Sequence, residues 1–222
     1  MQFNQHTNLQ GLHAPFAASQ SSWLRYDDDK AIERYSNRNR KLLGSELHDY
    51  ARSQIMLCQK VTSITNLVKD ISTFIFSKYT ALEKTDVGIA IIKDVKRLPT
   101  EVFETLKMHI NDAIGFKMEA EVVLYYSERF FGTADAISFR NNFLRIHDLK
   151  TGEHPVDMEQ LLVYVALFCL EYKVDPADIE VELRIYQKHE VAVYNPAIDE
   201  IAPVIDKIIH LNKLLINLDE EV

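Results

Sequence analysis

The sequence is short of the residues that make a chain easy to classify. It has two cysteines, Cys58 and Cys169, with no CxxC pair, and both sit in helix-like apolar patterns. That predicts two buried free thiols in a reducing cytoplasm. Glycine and proline number six each, and no repeat or low-complexity stretch is present, so the composition is that of an ordinary soluble globular protein. No apolar run approaches the roughly 20 residues needed to cross a bilayer. The opening MQFNQHTNLQ lacks the basic and apolar regions of a signal peptide. No membrane association is expected. Positive charge is in deficit too. A net charge of −8 speaks against a protein that coats nucleic acid by general electrostatics. It leaves room for an enzyme that holds its substrate in a local basic groove.

What is present is 222 residues, enough for one domain with a sizeable core or one domain with a small helical elaboration. Charge is segregated along them. DDD at 27–29 and DEE at 219–221 read as solvated turns or tails, while Arg34, Arg38, Arg40 and Lys41 cluster between them. Arg38 and Arg40 are candidates for phosphate contact, against the plainer reading of a solvated face.

Serines in AASQSSWLRY predict a helix start ahead of Trp23 and Leu24. After a polar link, a helix is predicted from about Gly44 to Lys60, with Leu43, Leu47, Ala51, Ile55 and Cys58 on one face. Residues 61–83 continue helical, and VGIAIIKDV reads as a short turn or strand. Pro99 and Thr100 open an amphipathic helix that ends near Gly115. The texture then changes. Three β-rich runs, Glu119–Tyr126, Phe130–Phe139 and Phe143–Lys150, are separated by the turn signals SER and RNN and predict an antiparallel meander. A helix over PVDMEQLLVYVALFCLEY with Pro155 near its first turn, a strand in DIEVELRIYQ and a closing helix over Ala197–Leu218 complete the order. It predicts mixed α and β structure around one sheet.

The chemistry is concentrated in the meander. Alternation in the third run puts Leu144, Ile146, Asp148 and Lys150 on one face, and Arg145, His147 and Leu149 on the other. Asp135 is the one acid among apolar neighbours in the second run, and a lone carboxylate there is costly without a cation or hydrogen-bond donors. In the first run Glu119 and Glu121 share a face. Pairing as a meander lets one acid from each strand converge at one end of the sheet. Two or three carboxylates, with or without an imidazole, form the hard, oxygen-rich site that Mg²⁺ or Mn²⁺ prefers. A lysine beside them orients a water or stabilises charge developing on a phosphate. That combination suits phosphodiester hydrolysis.

The segments GTADAI, FLRIHDLKTG and EQLLVY together resemble the RecB-like branch of the PD-(D/E)XK nuclease superfamily. There a Gly-x-x-Asp strand precedes a hydrophobic strand ending in Asp-x-Lys-Thr-Gly, and a helix carrying Gln-x-x-x-Tyr follows. Gly132 and Asp135 match the first element, Asp148, Lys150, Thr151 and Gly152 the second, and Gln160 and Tyr164 the third. LLGSELHDYA is similar to the family's Gly-x-x-x-His helix and makes His48 a candidate ligand. Glu121, with Glu119 as second choice, matches the family's acid on the preceding strand. The opening LHAPFAASQSSWLRY resembles the starts of phage-type members.

The resemblance implies an α/β (α+β) fold, a PD-(D/E)XK restriction-endonuclease-like core whose mixed central sheet is flanked by helices. It implies a single nuclease domain over residues 1–222: a mainly helical part at 1–116 supplying His48, a sheet core at 117–190, and a C-terminal helix at 191–222. It further implies a metal-dependent DNA exonuclease acting on linear ends in recombination, in the cytoplasm of a bacterial or phage-infected host cell. A structure-specific or nicking endonuclease, and a non-catalytic binding module, are the alternatives. Asp135, Asp148 and Lys150 would be catalytic. His48, Glu121, Asp135, Asp148 and the carbonyl of Leu149 would bind Mg²⁺ or Mn²⁺. Gln160 and Tyr164, at i and i+4 on one helix face, would brace the site or contact the DNA backbone. Candidate partners are DNA and a single-strand annealing or other recombination protein. The closing helix would serve a homo-oligomer interface as well as a core. Some relatives carry four cysteines around an iron–sulfur cluster. With two here, and Arg25-Tyr26 where the first would stand, no such cluster is expected.

Overall fold

The computed structural model describes residues 25–152 and 158–220, with the side chains of 31–41 and 218–220 outside that description. The chain divides into two compact units, one of Met1–Leu47 with Thr65–Leu98 and one of His48–Ile64 with Pro99–Val222. Among the described residues no helix is long and apolar enough to cross a membrane.

Helix α1 spans Asp28–Met56 and so begins well before the expected Gly44. The predicted polar link is helical. Asp27 accepts the main-chain N–H of Lys30 at 2.8 Å, and Asp28 and Asp29 occupy the first turn, where the helix dipole favours negative charge. The acidic run is exposed, as expected, but it caps and opens a helix where a turn or tail was expected. Among the described side chains its buried apolar stripe starts at Leu43. The expected serine-rich helix start before Trp23 lies outside the described residues.

In the first unit, helix α2 (Ile64–Ala81) buries Leu67, Ile71, Ile75 and Tyr79 at four-residue spacing. Its Lys78 donates to both carboxylate oxygens of the buried Glu46 at 2.9 Å, and Tyr79 donates to the same group. VGIAIIKDV is not a turn or strand but lies in helix α3, Thr85–Val95. A short apolar run does not reveal its period. Here tertiary packing selects helix, because Gly88, Ile91 and Val95 form one buried face. At Gly88 an added Cβ would stand 2.7 Å from Tyr79 Cβ.

The second unit is built on a five-stranded sheet in chain order: β1 (Glu119–Ser127), β2 (Phe130–Arg140), β3 (Phe143–Leu149), β4 (Glu180–Gln187) and β5 (Glu190–Tyr194). Only β3 and β4 pair in parallel, joined by the crossover helix α5 (Glu159–Tyr172). The expected mixed sheet flanked by helices is present. Helix α4 (Thr100–Gly115) covers one face, where its His109 meets the rings of His147 and Tyr186. Helix α5 and the closing α6 (Ile198–Glu220) cover the other, packing Leu161, Val165, Ile201 and Ile208 over Leu144, Ile146, Leu183 and Ile185. Each of these side chains is worth about 1.5–3 kcal/mol removed from water.

Two-residue turns with both residues at positive φ close the β2–β3 hairpin (Asn141, Asn142) and the β4–β5 hairpin (Lys188, His189). Strand β5 carries no sequence expectation, because Lys-His lacks the usual Asn-Gly signal. Helix α5 starts at Glu159, and the expected placement of Pro155 in its first turn lies outside the described residues. Cys169 is buried as expected, but Cys58 is exposed, since α1 ends at Met56 and Cys58 turns to φ 52°.

One irregularity lies in β2 and β1. A Cβ on Gly132 would point at Tyr164 of α5, and the ring of Phe139 contacts Phe168 of α5, although the two β2 positions differ in parity. The pleat of β2 therefore changes phase between them. Across from that change, Glu121 of β1 adopts φ 55°, the left-handed region in which a side chain costs about 1–2 kcal/mol. Strict alternation does not anticipate this.

Candidate metal centre

Three strands each deliver one carboxylate to this irregular stretch. Ala120 pairs with Ala136 and Val122 with Ala134, which sets Glu121 across from Asp135. Ala136 pairs with His147, so one register step further sets Asp135 across from Asp148. Glu119 pairs with Ile137 and is exposed, so Glu121 is the glutamate brought to the site. The last part of α1 adds His48, whose Nδ1 lies 3.3 Å from Asp135 Oδ1. One ligand atom from each of His48, Glu121 and Asp135 lies within 4.8 Å of the others. Asp148 stands beside this trio and outside that spacing.

The remaining contacts fix the carboxylates. Asp135 Oδ2 accepts the main-chain N–H of Leu149 at 2.7 Å, so the end of β3 is tied to β2 through a side chain. Leu149 thus enters the site through its N–H. Lys150 Nζ donates to Asp148 Oδ1 at 3.1 Å and to Gln160 Oε1 at 2.8 Å. Gln160 Nε2 in turn donates to the Tyr164 hydroxyl at 3.0 Å. Asp148 Oδ2 is 3.0 Å from the same ammonium but lacks hydrogen-bond geometry, and it is a buried acceptor with no hydrogen-bond partner. Arg38 and Arg40 fall in α1, and their side chains lie outside the described residues.

The electrostatics follow from crowding acids in a half-dry site. Burial alone would raise Asp135, but the His48 hydrogen bond and charge, with the Leu149 N–H, hold it below the ordinary carboxylate value. Burial and then the charge of Asp135 raise Asp148, against the pull of Lys150. Burial and Asp135 also raise Glu121. Burial opposes a charge on His48, yet Asp135, Asp148 and Glu121 together lift its pKa above the usual imidazole value. The site therefore concentrates negative charge, which Lys150, His48 and, at Glu121, Arg52 offset in part.

Comparison of the chain with protein-family models, with curated proteins and with solved structures finds no match.

The donor set is one imidazole nitrogen and carboxylate oxygens, with a further buried carboxylate oxygen lacking a donor. That set fits a hard divalent cation such as Mg²⁺ or Mn²⁺. His48, Glu121 and Asp135 are the residues spaced to share one. His109 escapes the sequence reading although it is fully buried close enough for Asp135 and His48 to affect its charge. Its position three residues after Leu106 and one before Ile110 marks the apolar face of α4, and that spacing was the available signal.

Proposed function

We propose that this protein is a metal-dependent deoxyribonuclease of the RecB-like PD-(D/E)XK type, an exonuclease that hydrolyses phosphodiester bonds at linear DNA ends during recombination. The observation that carries the reading is the row Glu121, Asp135 and Asp148 across three adjacent strands, with Lys150 held against the last of them. Carboxylates gathered from separate strands are expensive as structure alone. They suit a reaction that needs both a cation and a positioned ammonium.

Under this reading His48, Glu121 and Asp135 hold Mg²⁺ or Mn²⁺, with Asp148 completing the set. A divalent ion held there supplies Lewis-acid chemistry for phosphodiester hydrolysis. Lys150, fixed between Asp148 and Gln160, places an ammonium where it can orient water or stabilise charge developing on a phosphoryl oxygen. Asp135 holds the backbone at Leu149, and so keeps Asp148 and Lys150 in place at the strand end.

The test is incubation with linear, nicked and covalently closed DNA in Mg²⁺, Mn²⁺ or EDTA, repeated with Asp148→Ala and Lys150→Ala. Metal-dependent loss of linear DNA alone, abolished by both substitutions, is the expected result. Cutting of closed circles would replace the exonuclease by an endonuclease. No metal-dependent cleavage of any substrate would remove the enzyme altogether.

A further inference from the structure

Gly132 pairs with Leu124 inside the β1–β2 hairpin, a place where glycine weakens a strand by roughly 0.5–1 kcal/mol relative to alanine. Its φ is not in the left-handed region, so backbone conformation does not demand glycine there. Space does. A Cβ at this position would stand 2.7 Å from Tyr164 Cε1, 3.5 Å from Cδ1 and 3.7 Å from Cζ. The closest of these ring atoms adjoins the carbon that bears the hydroxyl, so any displacement is passed directly to the oxygen.

That oxygen ends a directed chain. A lysine ammonium can only donate, so the oxygen of the Gln160 amide must face Lys150 and its NH₂ must face Tyr164. The amide has one workable orientation, and Tyr164 is what receives its other end.

We propose that Gly132 is a positioning residue: its bare backbone seats the ring of Tyr164, and through Tyr164 and Gln160 this seat sets the place of Lys150. The strand that carries Asp135 thereby also locates the lysine that arrives from β3, and both halves of the site move as one. The inference rests on the nuclease reading only for its meaning to the reaction; the seat itself stands on geometry.

The experiment follows the Lys150 ¹³Cε resonance in protein labelled biosynthetically with ¹³C-lysine, which leaves all three N–H donors in place, and assigned by Lys150→Arg. Gly132→Ala is expected to shift that resonance in the same sense as Gln160→Leu. In a Tyr164→Ala background, where no ring remains to be displaced, Gly132→Ala is expected to have no effect. Tyr164→Phe keeps the ring and removes the hydroxyl, and it is expected to shift the resonance without Gly132 being touched, which covers the case of Gly132→Ala failing to fold. An unmoved resonance in Tyr164→Phe overturns the proposal. So does an equal shift from Gly132→Ala with and without the Tyr164 ring. The resonance needs neither DNA nor metal, so it reads the seating of Lys150 whatever the cleavage assay returns. In cleavage, Gly132→Ala should lower kcat on the order of tenfold or more at unchanged KM, as expected for a misplaced reacting group.

Discussion

Replacing Glu121 by glycine should make the protein more stable and, under the proposed function, abolish the binding of a divalent ion. The residue sits in a strand at φ 55°, where any side chain clashes with its own backbone and glycine does not. That strain is worth about 1–2 kcal/mol, of which glycine's greater freedom in the unfolded chain takes back about 0.5–1. Glu121→Ala is the reference, because alanine keeps the strain and removes the carboxylate. Glu121→Gly should therefore exceed Glu121→Ala by about 1 kcal/mol, or roughly 2–4 °C in melting temperature for a chain of this size. Both substitutions also remove a charge that burial and Asp135 disfavour. With the folded pKa raised, the folded state holds its proton more tightly than the unfolded one. Wild-type stability consequently falls as pH climbs from the ordinary value of 4.5 through the raised one. The advantage of either variant should be larger at pH 7 than at pH 4. Thermal melts in EDTA at the two pH values measure this, and Mn²⁺ titration calorimetry measures the lost ligand. A Glu121→Gly protein no more stable than Glu121→Ala would refute the claim that strain is held at this position for the sake of the site.

Three further outcomes are expected. Cys58 should react with a thiol reagent in the folded protein, whereas Cys169, buried and with its thiol pushed up to about 11, should react only after denaturation; equal rates would contradict the burial. His109 is held down to about 4, mainly by burial and further by the charge of His48, so between pH 6.5 and 4 the unfolded chain takes up a proton that the folded one refuses. The contribution of this one group should fall by about 3 kcal/mol as pH drops through that window, and His109→Leu should lessen the dependence in urea titrations at pH 7 and 4.5, leaving the part due to the neighbouring His147, which burial holds down as well. Gly88→Ala should destabilise by about 1–3 kcal/mol because its Cβ would meet Tyr79 Cβ at 2.7 Å, while Gly115→Ala, with nothing within 4 Å, should be neutral or stabilising in the same melts.

The strands of the meander were legible because each combines β-branched and aromatic residues with a clear turn signal. Their observed ends, Glu119–Ser127, Phe130–Arg140 and Phe143–Leu149, fall within a residue of those expected. Asp135 and Asp148 were legible for a related reason, since a carboxylate in an apolar strand calls for an explanation. The first half of α1 was hidden because Ser36, Asn37 and Asn39 are weak helix formers and read as a polar link. α3 was hidden because eleven mostly apolar residues fit a strand as well as a helix until Gly88, Ile91 and Val95 find one neighbour surface. The site escaped in its details. Alternation could place Glu119 and Glu121 on one face but could not foresee that the left-handed turn at Glu121 would separate them. Nor does a glycine in a strand announce which ring it must admit.

The three acid-bearing strands are also consecutive in the chain and closed by short turns, while β4 reaches β3 only across the α5 crossover. Folding order should follow that difference, since hairpins close in microseconds and parallel pairing waits on a longer loop. The carboxylates would then gather before Gln160 and Tyr164 arrive to fix Lys150. A nascent meander crowded with like charge is a poor folding nucleus in pure water and a better one in dilute Mg²⁺. Refolding rates measured with and without the ion would show whether the cation proposed for this site also eases the first steps of assembly.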